Sequence, residues 1–248
     1  MIVFAARTDI GKERKVNQDF CIASDDRPHL FILCDGMGGH QSGDVASRTA
    51  AESIETYIRT QSALDYDAEK AERVLKGAVS YANNIVFTRA MGQEALYGMG
   101  TTADVCMVDF DMLYIAHVGD SRVYLLREGL LRQLTTDHSY VEELVQSGII
   151  TENEAKSHPN KNVITRAVGT NRKLECDFMS LQLQQGDQIL MCSDGLSNML
   201  TESEIKNMLI SGEDPAVVTE NLIRRANENG GKDNITAIVI KKMLKEEA

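Results

Sequence analysis

Four aspartates stand at the edge of an apolar, strand-like run with glycine close by: Asp35 in LFILCDG, Asp120 in YIAHVGDSR, Asp194 in QILMCSDG and Asp233 in GGKDNITAIVI. The first three end their runs, whereas Asp233 precedes one. If the run after Asp233 lies antiparallel to the run ending at Asp194, both carboxylates reach the same sheet edge. Glycine lets the backbone bend, lets a ligand approach closely and leaves a carbonyl free to bind it. Carboxylates gathered at one edge repel and raise one another's pKa, and divalent cations relieve that repulsion. An all-oxygen set favours magnesium or manganese over zinc or copper. Two such ions can bind a bridging water, lower its pKa and aim it at an electrophile. Any single Asp-Gly is first a turn signal; the recurrence of the pattern points to metal chemistry.

The elements that must position these acids can be read from periodicity. Apolar strand runs cover 2–6, 20–23 and 29–34. A helix is predicted over 44–60, where Ala46, Ala50, Ile54 and Ile58 make one stripe. Another covers 67–91, with Ala71, Val74, Leu75, Ala78, Ala82, Ile85 and Val86 as its buried face and Gly92 as its cap. Residues 101–134 read as short strands of an antiparallel meander. A mixed segment, 138–162, holds a short helix ending near Gly148 and a second start where Thr151 and Glu154 have capping-box spacing. Strands resume over 176–183 and 187–193. Helices follow over 201–210 and 214–229, the latter with Asp214 as cap, Pro215 in its first position and Gly230 at its end. Residues 234–241 form the last strand. Strands in consecutive runs with helix pairs between them predict an α+β fold with antiparallel sheets.

Composition narrows the partners. The 248 residues suffice for a sizeable core and read as a single domain, and the formal net charge of −11 makes nucleic acid and anionic membrane surfaces poor partners. The N-terminal stretch has its apolar part before its basic part, unlike a signal peptide, and no apolar run is long enough to span a bilayer. Cys21, Cys34, Cys106, Cys176 and Cys192 are odd in number and form no CxxC pair, so they read as buried thiols in a reducing, cytoplasmic setting, with zinc ligation as the remote alternative.

Eight segments, GKERKVNQD, DGMGGH, MGTT, HVGDSR, TTDHS, ITRAVG, CSDGL and GGKDNIT, occur in an order that resembles the metal-dependent protein phosphatases of the 2C, or PPM, family, above all its compact bacterial members. The resemblance covers nearly the whole chain. It implies a four-layer α-β-β-α sandwich with two central antiparallel sheets and a flap subdomain at about 138–162. It also implies hydrolysis of phosphoserine and phosphothreonine on proteins by direct attack of a metal-bridging water, with two or three magnesium or manganese ions and no phospho-enzyme. The expected partners are phosphorylated substrates of a serine/threonine kinase, met by a monomer in the cytoplasm.

By the same resemblance Asp35 bridges two ions, the Gly36 carbonyl binds one of them, and Asp194 and Asp233 complete the first ion's shell. Asp120 holds a third ion, shared with Asp194, and Asp19 orients metal-bound water from behind. Arg14 grips the substrate phosphate with its planar fork; by itself it would read as a solvated member of the basic run 12–15. Two positions depart from the pattern. Gln18 stands where many members have Glu, and Met37 where many have His, which leaves His40 either to assist the leaving group or to bond the helix start that follows. His117 reads as a satisfied core histidine, and His138 reads either way. The competing class is a non-catalytic, partner-binding domain of the same fold, against which the intact Asp35, Asp194 and Asp233 argue.

Overall fold

The segment HLFILC is apolar at every position after its histidine, so a strand built from it must be buried on both faces. In the computed structural model, which describes residues 1–38, 42–61 and 66–243, this is what strand β3 (His29–Met37) does. Leu30, Ile32 and Cys34 face one hydrophobic layer, Phe31 and Leu33 face another, and all five are wholly buried. The chain therefore needs cover on both sides of that sheet. Helices supply one side and a second sheet the other.

The sheet containing β3 also has β2 (Asp19–Ser24), β5 (Ala103–Asp109), β6 (Met112–Val118) and β9 (Asp177–Gln182), in the order β2-β3-β5-β6-β9, with the short β4 (Gly100–Thr101) paired to β3. The second sheet runs β1-β11-β10-β7-β8, from β1 (Ile2–Asp9), β7 (Arg122–Arg127), β8 (Leu130–Gln133), β10 (Gln188–Cys192) and β11 (Ile235–Lys242). All the named pairings are antiparallel. Helices α1 (Gly43–Thr60) and α2 (Ala68–Gly92) cover the first sheet. The predicted stripe of Ala46, Ala50, Ile54 and Ile58 is buried there. Helices α6 (Glu202–Ile210) and α7 (Pro215–Glu228) cover the second sheet, and a third apolar layer fills the space between the sheets. The layers run α-β-β-α, as expected.

Local chemistry sets most element ends. Asp67 caps α2 by accepting from Lys70 N–H, and Asp214 caps α7 by accepting from Ala216 N–H with Pro215 at the first helical position. The Thr151–Glu154 capping box is formed at α4 (Glu152–Ser157), and a second box, Thr201 with Glu204, opens α6. One cap differs from expectation. Gly92 is the last helical residue of α2, and the chain leaves through Gln93 in an extended conformation rather than through a left-handed glycine.

The larger difference lies in the meander. Residues 101–134 do not form one sheet: β5 and β6 belong to the first, β7 and β8 to the second, and the chain crosses between them at 119–121. Periodicity cannot show this crossing, because β5, β6 and β7 are all buried on both faces and read alike. After β8 the chain makes an excursion with helix α3 (Tyr140–Gln146) and α4, in which Val141 is buried and α4 buries nothing. Its base is closed by bridges between Ser139 and Ile164 and between Thr101 and Val168. At the other end of the sandwich the buried Lys242 of β11 donates to Asp111 Oδ1 (2.6 Å) and the Leu183 carbonyl (2.7 Å), tying the two sheets together. Among the described residues no helix is long and apolar enough to cross a membrane. All five cysteines are free, with Cys34, Cys106 and Cys192 buried and the other two half-buried.

Candidate metal centre

The pairing of β10 with β11 sets Cys192 opposite Ala237, so Asp194 just beyond β10 and Asp233 just before β11 lie at one sheet edge. Asp194 opens a four-residue helix, α5 (Asp194–Ser197), whose glycine lets the two segments touch: a Cβ on Gly195 would lie 2.0 Å from the Asn234 carbonyl. From the other sheet, Asp19 and Asp35 are direct partners across β2 and β3. Asp120 lies in the crossing between β6 and β7. The five acids thus come from five separate chain segments at one end of the sandwich.

Their charges are felt strongly. Asp35 and Asp194 approach within hydrogen-bonding reach of each other. Burial, then the neighbouring Asp19, Asp194, Asp120 and Asp233, pushes the Asp35 carboxyl well above the usual range. Burial and the same crowding raise Asp19 to about 6, Asp194 to about 6 and Asp120 to about 8. Asp19 is 6% exposed; its Oδ2 accepts from Ser193 Oγ (2.8 Å) and Thr236 Oγ1 (2.7 Å), while its buried Oδ1 has no partner among the described residues. One buried and four half-buried acids, all oxygen in type, fit hard divalent cations. Among the described residues, no three or more His, Cys, Asp or Glu side chains close up tightly enough to hold an ion by themselves.

Neighbouring polar groups fix the segments carrying Asp35 and Asp194. Thr102 Oγ1 accepts from Asp35 N–H (2.9 Å), the Thr101 hydroxyl donates to the Asp35 carbonyl (2.9 Å), and the Thr102 and Ser121 hydroxyls bond at 3.0 Å, joining β3 to the crossing. Gly36 N–H donates to the Gln18 carbonyl (3.1 Å), and a Cβ on Gly36 would lie 2.0 Å from the Gly43 carbonyl. Gln18 contributes through its backbone here, whatever its side chain lacks as a carboxylate. Asn198 Nδ2 donates to Asp194 Oδ2 at 3.1 Å.

Arg14 reaches this cluster by way of Asn234. That buried amide donates to the carbonyls of Ile10 and Val16 (3.0 Å each) and accepts from Gln18 N–H (2.8 Å), pinning both ends of the basic loop against the start of β11. Lys12 N–H adds a bond to the Gly231 carbonyl at 2.7 Å. Gly11, at φ +77°, passes so close that a Cβ would lie 2.1 Å from the Asp233 carbonyl. The result places Arg14 Nη2 2.6 Å from Asp233 Oδ2, with the arginine side chain half exposed. Arg14 is therefore anchored at the rim of the acids rather than waving in solvent.

Asn234, Ser193, Thr236, Thr102 and Asn198 were not singled out in the sequence. The signal for two of them was present: 234 and 236 are polar positions at the start of an otherwise apolar strand, and both are buried. His40 lies outside the described residues, so its candidacy receives no geometry. His117 is a satisfied core residue, buried, with Nδ1 2.6 Å from Asp104 and Nε2 2.9 Å from the Thr136 carbonyl. Burial works against its charged ring, yet Asp104 and that carbonyl hold its pKa above the ordinary value. His138 is also buried, its ring 4.6 Å from that of His117, and burial followed by His117 lowers its pKa to about 4. A cavity of about 740 Å³ opens beside the acids, lined by Asp120, Asp194 and Asn198 on the body and by Glu142, Lys156 and Lys161 on the excursion.

Comparison with known proteins identifies the family. The serine/threonine phosphatase stp of Listeria innocua is 38% identical over 96% of this chain and 95% of its own length. The crystal structure of the Mycobacterium tuberculosis serine/threonine phosphatase PstP/Ppp superposes with a TM-score of 0.88 at 34% identity, covering 98% of this chain and 99% of that one. The catalytic domain of PstP, solved with two manganese ions, gives 0.86 at 32% identity, covering 98% and 99%. The sequence model of protein phosphatase 2C matches residues 11–239, a span that includes every acid gathered at the sandwich end, and the chain belongs to that family.

Proposed function

We propose that this chain hydrolyses phosphoserine and phosphothreonine monoesters on other proteins, in a reaction that requires divalent cations. The observation that carries this reading is the placement of Arg14 beside Asp233 at the rim of the clustered acids. A phosphate drawn to the cations would meet a guanidinium already anchored there, and a guanidinium can hold two phosphate oxygens at once. A domain kept only for partner binding has no use for an arginine fixed beside crowded, mutually repelling carboxylates.

In this reading Asp35 would serve two magnesium or manganese ions and the Gly36 carbonyl one of them. Asp194 and Asp233 would complete the first ion's set, and Asp120 with Asp194 would hold a third. Such ions, when bound, would supply charge neutralisation and acidify water for direct attack on phosphorus. The chain's own residues do the rest. Arg14 binds and orients the phosphoryl group. Asp19, held on one oxygen by Ser193 and Thr236, keeps its other oxygen turned to the site and orients water there. His40 is the proposed proton donor to the departing serine or threonine oxygen. The excursion over 138–162 acts as a flap of the single catalytic domain and contributes to substrate choice. The protein works as a cytoplasmic monomer that reverses a serine/threonine kinase in signalling.

The test is hydrolysis of a phosphothreonine peptide with manganese, with a chelator, and with Asp194→Asn. Activity should require manganese and vanish in the variant; activity that survives both treatments would sink the mechanism.

A further inference from the structure

His138 is bonded to Gly119 twice. Its backbone N–H donates to the Gly119 carbonyl (2.7 Å), and its ring Nδ1 accepts from Gly119 N–H (3.1 Å). A nitrogen that accepts carries no proton, so with the Gly119 bond in place the neutral ring holds its hydrogen on Nε2, which faces Asp177 Oδ2 at 3.3 Å, while Arg166 Nη1, 3.2 Å from the same nitrogen, donates to Asp177 Oδ1 at 2.9 Å. On its other side the His138 carbonyl accepts from Thr165 N–H (2.8 Å), next to the Ser139–Ile164 bridge and the bond from Tyr140 N–H to the Val163 carbonyl. One residue therefore closes the base of the α3–α4 excursion and clasps the residue before Asp120.

The turn it clasps has little freedom. Gly119 has φ +118°, and a Cβ there would lie 2.5 Å from Thr102 Cγ2. Thr102 in turn bonds the Asp35 backbone and Ser121. If the Nδ1 bond were lost, the buried Gly119 N–H would have to turn toward another acceptor, and Asp120 would turn with it.

We propose that His138 is a positioning residue, whose Nδ1 holds the Gly119–Asp120 turn in register with the seating of the excursion, so that ion binding at Asp120 and the seating of α3–α4 govern each other. This rests on the reading of Asp120 as an ion ligand given above. The test uses the full chain as wild type, Asp120→Asn, His138→Asn and His138→Gln. Mn²⁺ binding is measured by calorimetry and cleavage between 146 and 161 by timed proteolysis. In wild type the weakest Mn²⁺ binding event should slow cleavage, and Asp120→Asn should lose both effects. The Asn side chain presents an oxygen where Nδ1 stood and should behave as wild type. The Gln side chain presents its oxygen nearer the Nε2 position; that event should weaken about tenfold or more, with cleavage indifferent to Mn²⁺ and the tighter binding retained. A His138→Gln protein indistinguishable from wild type, or Asn and Gln variants equally impaired in every binding event, would overturn the proposal. Wild type that takes up no Mn²⁺ would instead remove the ion-ligand reading beneath it. Without any variant, ¹⁵N NMR should show the Nε2–H tautomer at His138 and a joint shift of the His138 Nδ1 and Gly119 amide signals on Mg²⁺ addition. An Nδ1–H tautomer would also overturn it.

Discussion

Asp19 keeps one oxygen between two hydroxyls and presents the other, buried, without a partner among the described residues. Asp19→Asn would put an amide where a carboxylate is needed and should cut metal affinity about 10–100-fold, read by Mn²⁺ titration of the purified protein. An unchanged titration would place Asp19 outside the site. Arg14→Lys keeps the charge but loses the fork, so KM for a phosphopeptide should rise about tenfold, the range expected for one charge-assisted hydrogen bond. An unaltered KM would return Arg14 to the solvated basic run. The acids themselves were legible, because an aspartate beside glycine at the end of an apolar run is an unusual choice when it recurs. Their supporters were not. Ser193, Thr236 and Asn234 are small polar residues in or beside strands, and only the three-dimensional approach of β11 to β2 and β10 shows that their hydroxyls and amide serve Asp19 and the Arg14 loop.

At the scale of elements, the close approach of α5 to the start of β11 carries the geometry of Asp194 against Asp233. Gly195→Ala would drive a methyl into the Asn234 carbonyl, 2.0 Å away, and must part those segments. Manganese-dependent turnover should fall at least tenfold, an effect of the size that misplacing reacting groups by about an ångström produces, while circular dichroism still reports a folded sandwich. Full activity would show that the contact can relax. The excursion over 138–162 borders the cavity beside the acids, so exchanging it for that of a relative should change preference among phosphopeptides and spare a small aryl phosphate. Equal effects on both substrates would count against a role in substrate choice. Helices were the most legible elements, since their stripes and caps are local: α1, α2, α6 and α7 fall within a residue or two of their predicted limits. The crossing between β6 and β7 was invisible, because nothing local distinguishes a hairpin turn from a passage between two sheets that bury the same pattern.

For the whole molecule, the crowded acids set a pH dependence. Asp19 and Asp194 at about 6 and Asp120 at about 8 all lie above the ordinary 3.8, through burial first and neighbouring acids second. A folded state that holds protons more tightly than the unfolded chain is favoured at low pH. Its advantage is present below about pH 4 and is lost as pH rises through 6 and 8. Metal-stripped protein should therefore melt several degrees lower near pH 8 than near pH 5, and Mn²⁺ should restore more at the higher pH. A melting temperature that rises across that interval would contradict the crowding. The tie between Lys242, Asp111 and the Leu183 carbonyl gives this a mechanical sense. Asp19 and Asp35 ride on one sheet, Asp194 and Asp233 on the other. The sandwich is thus a clothes-peg, sprung shut at the lysine end and tipped at its jaws with charges that push apart. Cations gripped between those jaws would be the load the peg is built to close upon.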